Sequence, residues 1–126
     1  MNKSVKLHWH SFEKLTEARS QFAETPCVYI QADARRRPIR VGKASKGLET
    51  RYRGGTGYAL DAAMHESGNL IFVSAVSEGL CGPVESEIIW QGRQCLTYNN
   101  QGKLTEPFQR MKLIHTGTPP RMTEFN

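Results

Sequence analysis

Two short stretches of this 126-residue chain place groups where they could act on one another. In "CVYIQ", residues 27–31, Val28 and Ile30 share one face of an extended segment and Tyr29 points to the other. In "IRVGK", residues 39–43, Ile39 and Val41 share a face and Arg40 points away. If both apolar pairs meet the same core, Tyr29 and Arg40 project on one side. A guanidinium beside a phenol favours the phenolate. Tyr29 then becomes a candidate base or orienting group, or else a half-buried ring with an arginine stacked on it. Gly42 and Lys43 follow where a strand often opens onto a functional loop.

The charge around this pair is concentrated. The net charge is +5, yet the window from Arg35 to Arg53 holds Arg35, Arg36, Arg37, Arg40, Lys43, Lys46, Arg51 and Arg53 against Glu49 alone. That window carries +7 and the rest of the chain −2. A basic patch of this kind is the electrostatic footprint of a polyanion such as DNA, with RNA as the alternative. Arg35, Arg36 and Arg37, in "ADARRRP", would anchor phosphates at a hairpin tip and set affinity rather than sequence choice.

The elements that must hold these groups can be read in order. Ser11 suits a helix N-cap, and Phe12, Leu15, Ala18 and Phe22 recur at helical spacing until Pro26. "CVYIQ" and "IRVGK" are two strands of a hairpin. "GLETRYR" is a short helix, "GGTG" breaks it, and "YALDAAMHES" is a further helical stretch. "NLIFVSAV" is a third strand. A helix with Pro83 in its first position runs to about Leu96, with a stripe of Cys81, Val84, Ile88 and Cys95. "TYNNQGK" is a turn, and the chain from Pro107 is weakly patterned. The expected fold is α+β: a small three-stranded mixed or antiparallel sheet flanked by helices.

The chain fits a single domain over residues 1–126. No apolar run approaches a membrane span, and the N-terminus has no signal-like apolar core, so a cytoplasmic protein without a membrane partner is expected. Cys27, Cys81 and Cys95 lack C-x-x-C spacing and read as small buried hydrophobes.

The stretch "PCVYIQADARRRPIRVGKASKGLETR" resembles the opening of the GIY-YIG nuclease family, which includes an excision-repair nuclease domain and several homing endonucleases. In that family a G-[IV]-Y strand precedes a Y-[IV]-G strand, an arginine follows on a short helix, a glutamate on a later helix, and an asparagine in a turn. The resemblance assigns Tyr29 to the first half-motif, Gly42 to the second, Arg51 to the helix arginine, Glu87 to the metal-binding glutamate and Asn99 to the late asparagine. It covers residues 26–100 as a catalytic core. Residues 1–25 then form an N-terminal helical extension and residues 101–126 a C-terminal one. Cys27 stands where the family has its first glycine, Arg40 where it has its second tyrosine, and Gly55 where it often has a histidine. His65, Tyr58 or Lys43 are the residues that could take the histidine's place.

The resemblance implies a metal-dependent endonuclease that hydrolyses DNA phosphodiesters. One Mg²⁺ or Mn²⁺ would suffice, because Mg²⁺ often takes only one or two protein carboxylates. Arg51 would meet the scissile phosphate, Tyr29 would act as base or orient water, and Arg40 and Lys43 would support both. Asn99 would fix its turn or position Glu87. Lys46 and Arg53 extend the DNA-binding surface. With Ile88 at the centre of the helix stripe, Glu87 lies about 100° to one side and Glu85 about 60° to the other. Glu87 is the expected ligand, and Glu85 replaces it if the helix is turned otherwise. No separate DNA-reading module fits this length, so a homodimer, a larger nuclease complex or a branched or damaged substrate would supply specificity.

Two other readings remain: a GIY-YIG-fold module that binds nucleic acid without cutting, and a protein-interaction subunit whose basic patch meets an acidic partner. "GKAS" lacks the glycine and hydroxyl of a phosphate-binding loop. "HWH" sets His8 and His10 on one face of an extended segment, but two histidines without a third ligand read as surface residues.

Overall fold

The computed structural model describes residues 3–33, 35–51, 70–93, 96 and 106–121, with the backbone alone at residues 50 and 51. Along the chain lie β1 (Lys3–Phe12), α1 (Leu15–Gln21), β2 (Cys27–Ala32), β3 (Pro38–Ala44), α2 (Leu48–Arg51), β4 (Leu70–Ala75), α3 (Glu78–Gln91) and β5 (Met111–Gly117). The strands form one mixed sheet in the order β3-β2-β4-β1-β5. All neighbours are antiparallel except β1 and β5, which are parallel. The fold is α+β, as expected, but the sheet has five strands rather than three.

Both added strands come from the regions read as extensions. β1 alternates strictly: Val5, Leu7 and Trp9 are buried while Lys6, His8 and His10 are exposed. That period of two is a strand pattern. Phe12 pairs with Ile71 in the sheet, so the helix starts later, at Leu15, and Ser11 does not cap it. The N-terminal extension is therefore strand then helix. β5 runs beside β1 from Lys3↔Met111 to Trp9↔Gly117. Its partner lies more than a hundred residues earlier in the sequence, so no local hairpin signal marks it.

The sheet is covered on both faces. On one, α3 packs over Val5, Leu7, Trp9, Val28, Ile30, Val41 and Phe72 through Val84 and Ile88. On the other, α1 and α2 meet Phe12, Cys27, Tyr29, Ile71 and Val73 through Ala18, Phe22 and Leu48. Burying each large apolar side chain contributes about 1.5–3 kcal/mol. β2 is central, and all six of its residues are buried. α3 begins five residues before Pro83, which lies inside it. Pro83 therefore does not take the first helical position expected for it, and its missing N–H leaves the carbonyl of Gly79, four residues back, without that helix bond. Cys27 and Cys81 are buried free thiols, and burial pushes Cys27 up to about 12. No helix among the described residues is long and apolar enough to cross a membrane.

His115, on the α3 face of β5, shows how this core sets protonation. The Trp9 indole stacks on it and donates from Nε1 to its Nδ1 at 2.9 Å. Burial lowers its pKa from 6.5 to about 4. An NMR titration should find the neutral Nε2–H tautomer at pH 7 and a midpoint near 4. Because the folded value lies below the unfolded one, this ring costs stability as pH falls from 6.5 towards 4. A midpoint near 6.5 would contradict the burial of this ring.

Candidate functional site

The β2–β3 hairpin pairs Tyr29 with Gly42 and Gln31 with Arg40. Directly paired residues of an antiparallel ladder share a face. Tyr29, Gln31, Arg40 and Gly42 therefore project on one side, as the alternation of the two strands predicts. It is the side covered by α1 and α2. Tyr29 is fully buried there, and Arg40 is partly buried. A Cβ at Gly42 would overlap Cζ and the hydroxyl oxygen of Tyr29. The glycine is thus the seat of the phenol ring. α2 is pinned to the same side: Leu48 and Glu49 donate their backbone N–H to the carbonyls of Phe22 (2.8 Å) and Ala23 (3.2 Å). Arg51 is the last residue of this helix. Glu49 pairs with Arg19 at 3.3 Å.

The turn between β2 and β3 is organised by Asp33. Its carboxylate accepts from the N–H of Arg35 (2.9 Å) and Arg37 (3.0 Å) and from Arg37 Nε (2.8 Å). Burial would raise its pKa, but these donors hold it below the usual carboxylate value. Arg36 takes the left-handed conformation, with φ at +69°. Its guanidinium lies 5.4 Å over the Phe72 ring and donates to Pro119 O at 3.4 Å. Its carbonyl accepts Arg121 N–H at 2.7 Å. So Arg36 serves the fold, while Arg35 and Arg37 are exposed. Lys46 is exposed and pairs with Glu78 at 3.2 Å.

Glu87 occupies a place the helix stripe does not foretell. It is fully buried between α3 and the start of β5. Oε1 accepts from Arg110 Nε (2.9 Å) and Met111 N–H (3.1 Å). Oε2 accepts from Arg110 Nη2 and Gln91 Nε2, both at 3.0 Å. Burial raises its pKa, yet the Arg110 guanidinium, the Met111 N–H and the Gln91 amide outweigh it and hold the carboxyl below its ordinary value. Both oxygens are engaged in a two-toothed arginine fork. This carboxylate is built to fasten β5 to α3.

Glu85 lies elsewhere on the helix. At about 100° per residue it sits about 40° from Cys81 on one side, whereas Glu87 sits about 120° round on the other. Gly82, one turn before Glu85 on its own side, faces Lys43: a Cβ there would stand 3.4 Å from Nζ. β3 is the outer strand of the sheet, so Arg40 and Lys43 flank an open edge from opposite faces. Glu85 is partly buried, and helix geometry puts its position nearer than that of Glu87 to the Gly82 side that faces Lys43.

The structure brings Tyr29, Arg40 and Gly42 together, sets α2 over their face, and places Lys43 with the Glu85 side of α3. It brings neither Glu87 nor Glu85 to Tyr29, because α3 lies on the opposite face of the sheet. Arg53, Gly55, Tyr58, His65, Cys95 and Asn99, and the helix expected over "YALDAAMHES", lie outside the described residues. The residues that sequence reasoning missed are Gln91 and Arg110. Arg110 is 23 positions from Glu87, with no periodicity to link them. Among the described residues no three His, Cys, Asp or Glu side chains cluster. Protein-family models, curated proteins and solved structures yield no match to this chain.

Proposed function

We propose that this protein is a metal-dependent endonuclease of the GIY-YIG type, acting on DNA, whose metal carboxylate is Glu85 rather than Glu87. The observation that carries the reading is the Tyr29 ring seated on Gly42 with Arg40 on the same face. The order of elements supports it: tyrosine strand, glycine strand, short helix ending in Arg51, third strand, then the glutamate helix. Within the five-stranded sheet, the antiparallel run β3-β2-β4 is compatible with this reading.

Glu87 does not suit a divalent ion, since four donors already occupy its oxygens. Glu85 suits the single-carboxylate mode of Mg²⁺ or Mn²⁺ binding. A bound ion would neutralise charge at the phosphate and lower the pKa of an attacking water. Lys43, on the α3 face at the β3 edge, would hold a phosphate oxygen, and the resemblance gives Arg51 the role of neutralising the phosphate. Tyr29 is too buried to touch substrate. It acts as a positioning residue that fixes the Gly42 backbone and the Arg40 side chain.

A specific observation favours a second reading, a module that binds without cutting. Arg40 stands at the family's second tyrosine, and the matched glutamate is spent on Arg110. Nicking of supercoiled plasmid with Mg²⁺ or Mn²⁺ separates the two, with EDTA as control. The wild type should nick, and Glu85→Gln should lose at least about 10²-fold in rate. Cutting unchanged in Glu85→Gln overturns the ligand assignment. No cutting, with salt-dependent DNA binding, establishes the second reading.

A further inference from the structure

β1 and β5 contain no acidic residue. Short of Phe12, which is buried on the same face, their side chains on the face away from α3 are Ser4, Lys6, His8 and His10 from β1 and Lys112, Ile114 and Thr116 from β5. All but Ile114 are exposed. The register sets Lys112 beside Ser4 and Thr116 beside His8, so the two lysines are diagonal neighbours. Successive β1 side chains on this face stand about 6.6 Å apart.

At one end the face deepens into a cleft of about 390 Å³ lined by His8, His10, Phe12, Gln21, Gly117 and Thr118, among others. Two rings project there and both are held. Thr116 Oγ1 donates to Leu7 O at 3.2 Å and stands 3.0 Å from His8 Nδ1. His10 packs on Phe22 at 5.6 Å and meets His8 edge-on at 4.9 Å. Preorganised rings lose little freedom on binding.

The cleft lies at the same end of the sheet as the arginine turn. Trp9 pairs with Gly117, Phe12 with Ile71, and Ala32 with Leu70, so these strand ends align. Thr118 N–H donates to Trp9 O at 3.0 Å, and three residues on Arg121 N–H donates to Arg36 O at 2.7 Å. The chain itself bridges the cleft to exposed Arg35, Arg37 and Arg121.

We infer that the β1–β5 face is a second nucleic-acid surface, on which a single strand lays its phosphates along Lys6 and Lys112 and stacks a base on His8 and His10 in the cleft. The occupant follows from charge and shape. An acid-free face with two lysines attracts a polyanion, and a sheet face with projecting rings takes unpaired bases. The inference rests on the reading that the protein acts on nucleic acid, and it does not require cutting.

The test is fluorescence anisotropy with a labelled 12-mer of thymidylate across a salt series. Lys6→Ala with Lys112→Ala should flatten the slope of log affinity against log salt by about 1.4, at about 0.7 per phosphate contact on a single strand. His8→Ala with His10→Ala should weaken binding at least about fivefold while leaving the slope unchanged, because stacking carries no counterion release. All four positions are exposed, and an unchanged melting temperature checks that the variants fold. Wild-type binding with both double variants unaltered overturns this inference and leaves the nuclease reading standing. Wild-type binding without nicking, with the predicted variant effects, overturns only the nuclease. No wild-type binding to this strand or to duplex DNA overturns both.

Discussion

Glu87→Ala should be among the most destabilising single substitutions in this chain, costing about 2–4 kcal/mol. The carboxylate has no exposed surface, and its partner Arg110 is about one-third exposed, with side-chain relative exposures of 0% and 37%. Removing the acid leaves the Arg110 guanidinium to Glu106 and solvent, and leaves the Met111 N–H without its acceptor. The orphaned Met111 N–H carries a full desolvation penalty. β5 is an edge strand that starts at Met111, so the damage falls where the sheet has least else to hold it. A loss of this size corresponds to a fall of roughly 10–20 °C in melting temperature for a domain of this length. A fall under about 2 °C would sink the fastening role.

Two companion variants identify the cause. Arg110→Met removes the charge partner and leaves the acid buried, so it should also cost several kcal/mol. The double variant Glu87→Leu, Arg110→Met should cost much less than the two single effects combined, because a buried pair replaced by apolar groups leaves no orphan. The pH dependence has a definite sign. The folded carboxyl has its pKa below the ordinary 4.5, so its contribution is complete above that value and disappears as pH falls through the folded one. The wild type should therefore lose stability below about pH 4.5 more steeply than the double variant. These outcomes bear on function too. A Glu87 variant that fails to cut says nothing about metal, whereas Glu85→Gln should still unfold cooperatively while losing activity.

How much of this was legible follows from where each signal resides. The hairpin, its shared face and the third strand were readable because alternation is local and each strand lies within a few residues of its turn. Val5, Leu7 and Trp9 carried the same period of two, but the helical spacing of Leu15, Ala18 and Phe22 beside them drew Phe12 into the wrong element. β5 was not legible, since a parallel edge strand takes its register from β1, far away in sequence. The rotation of α3 was readable only in part. Val84 and Ile88 gave the stripe, but the burial of Glu87 depends on an arginine that the sequence does not connect to it. The arginine window also misled in detail. Local composition shows its charge but not that Arg36 folds back over Phe72 and Pro119. The acid-free face on β1 and β5 arises only when two segments, each weakly basic, are laid side by side.

Gly42→Ala should be the second large effect, and it tests the core of the candidate site. A single methyl here would occupy the space of Tyr29 Cζ and its hydroxyl. The ring is fully buried among Phe12, Phe22, Leu48 and Val73 and has no open side to retreat to. β3 is the outer strand, so relief comes by pushing it off β2 at the Tyr29↔Gly42 pair. Overpacking of this kind costs typically about 1–3 kcal/mol, and more where the neighbour is rigid. The clash is with one side chain, which makes the cause testable by a double-mutant cycle. Tyr29→Leu ends short of Cζ, so Gly42→Ala should cost at least about 1 kcal/mol less in that background. Gly79→Ala is the control: an added Cβ meets nothing within 4 Å, and alanine is the better helix former by up to about 1 kcal/mol. Urea unfolding should rank the three with Gly79→Ala at or above wild type and Gly42→Ala well below. Equal costs for Gly42→Ala in both backgrounds would mean that the glycine serves the β3 backbone and not the tyrosine. The nuclease reading would then lose the observation on which it stands.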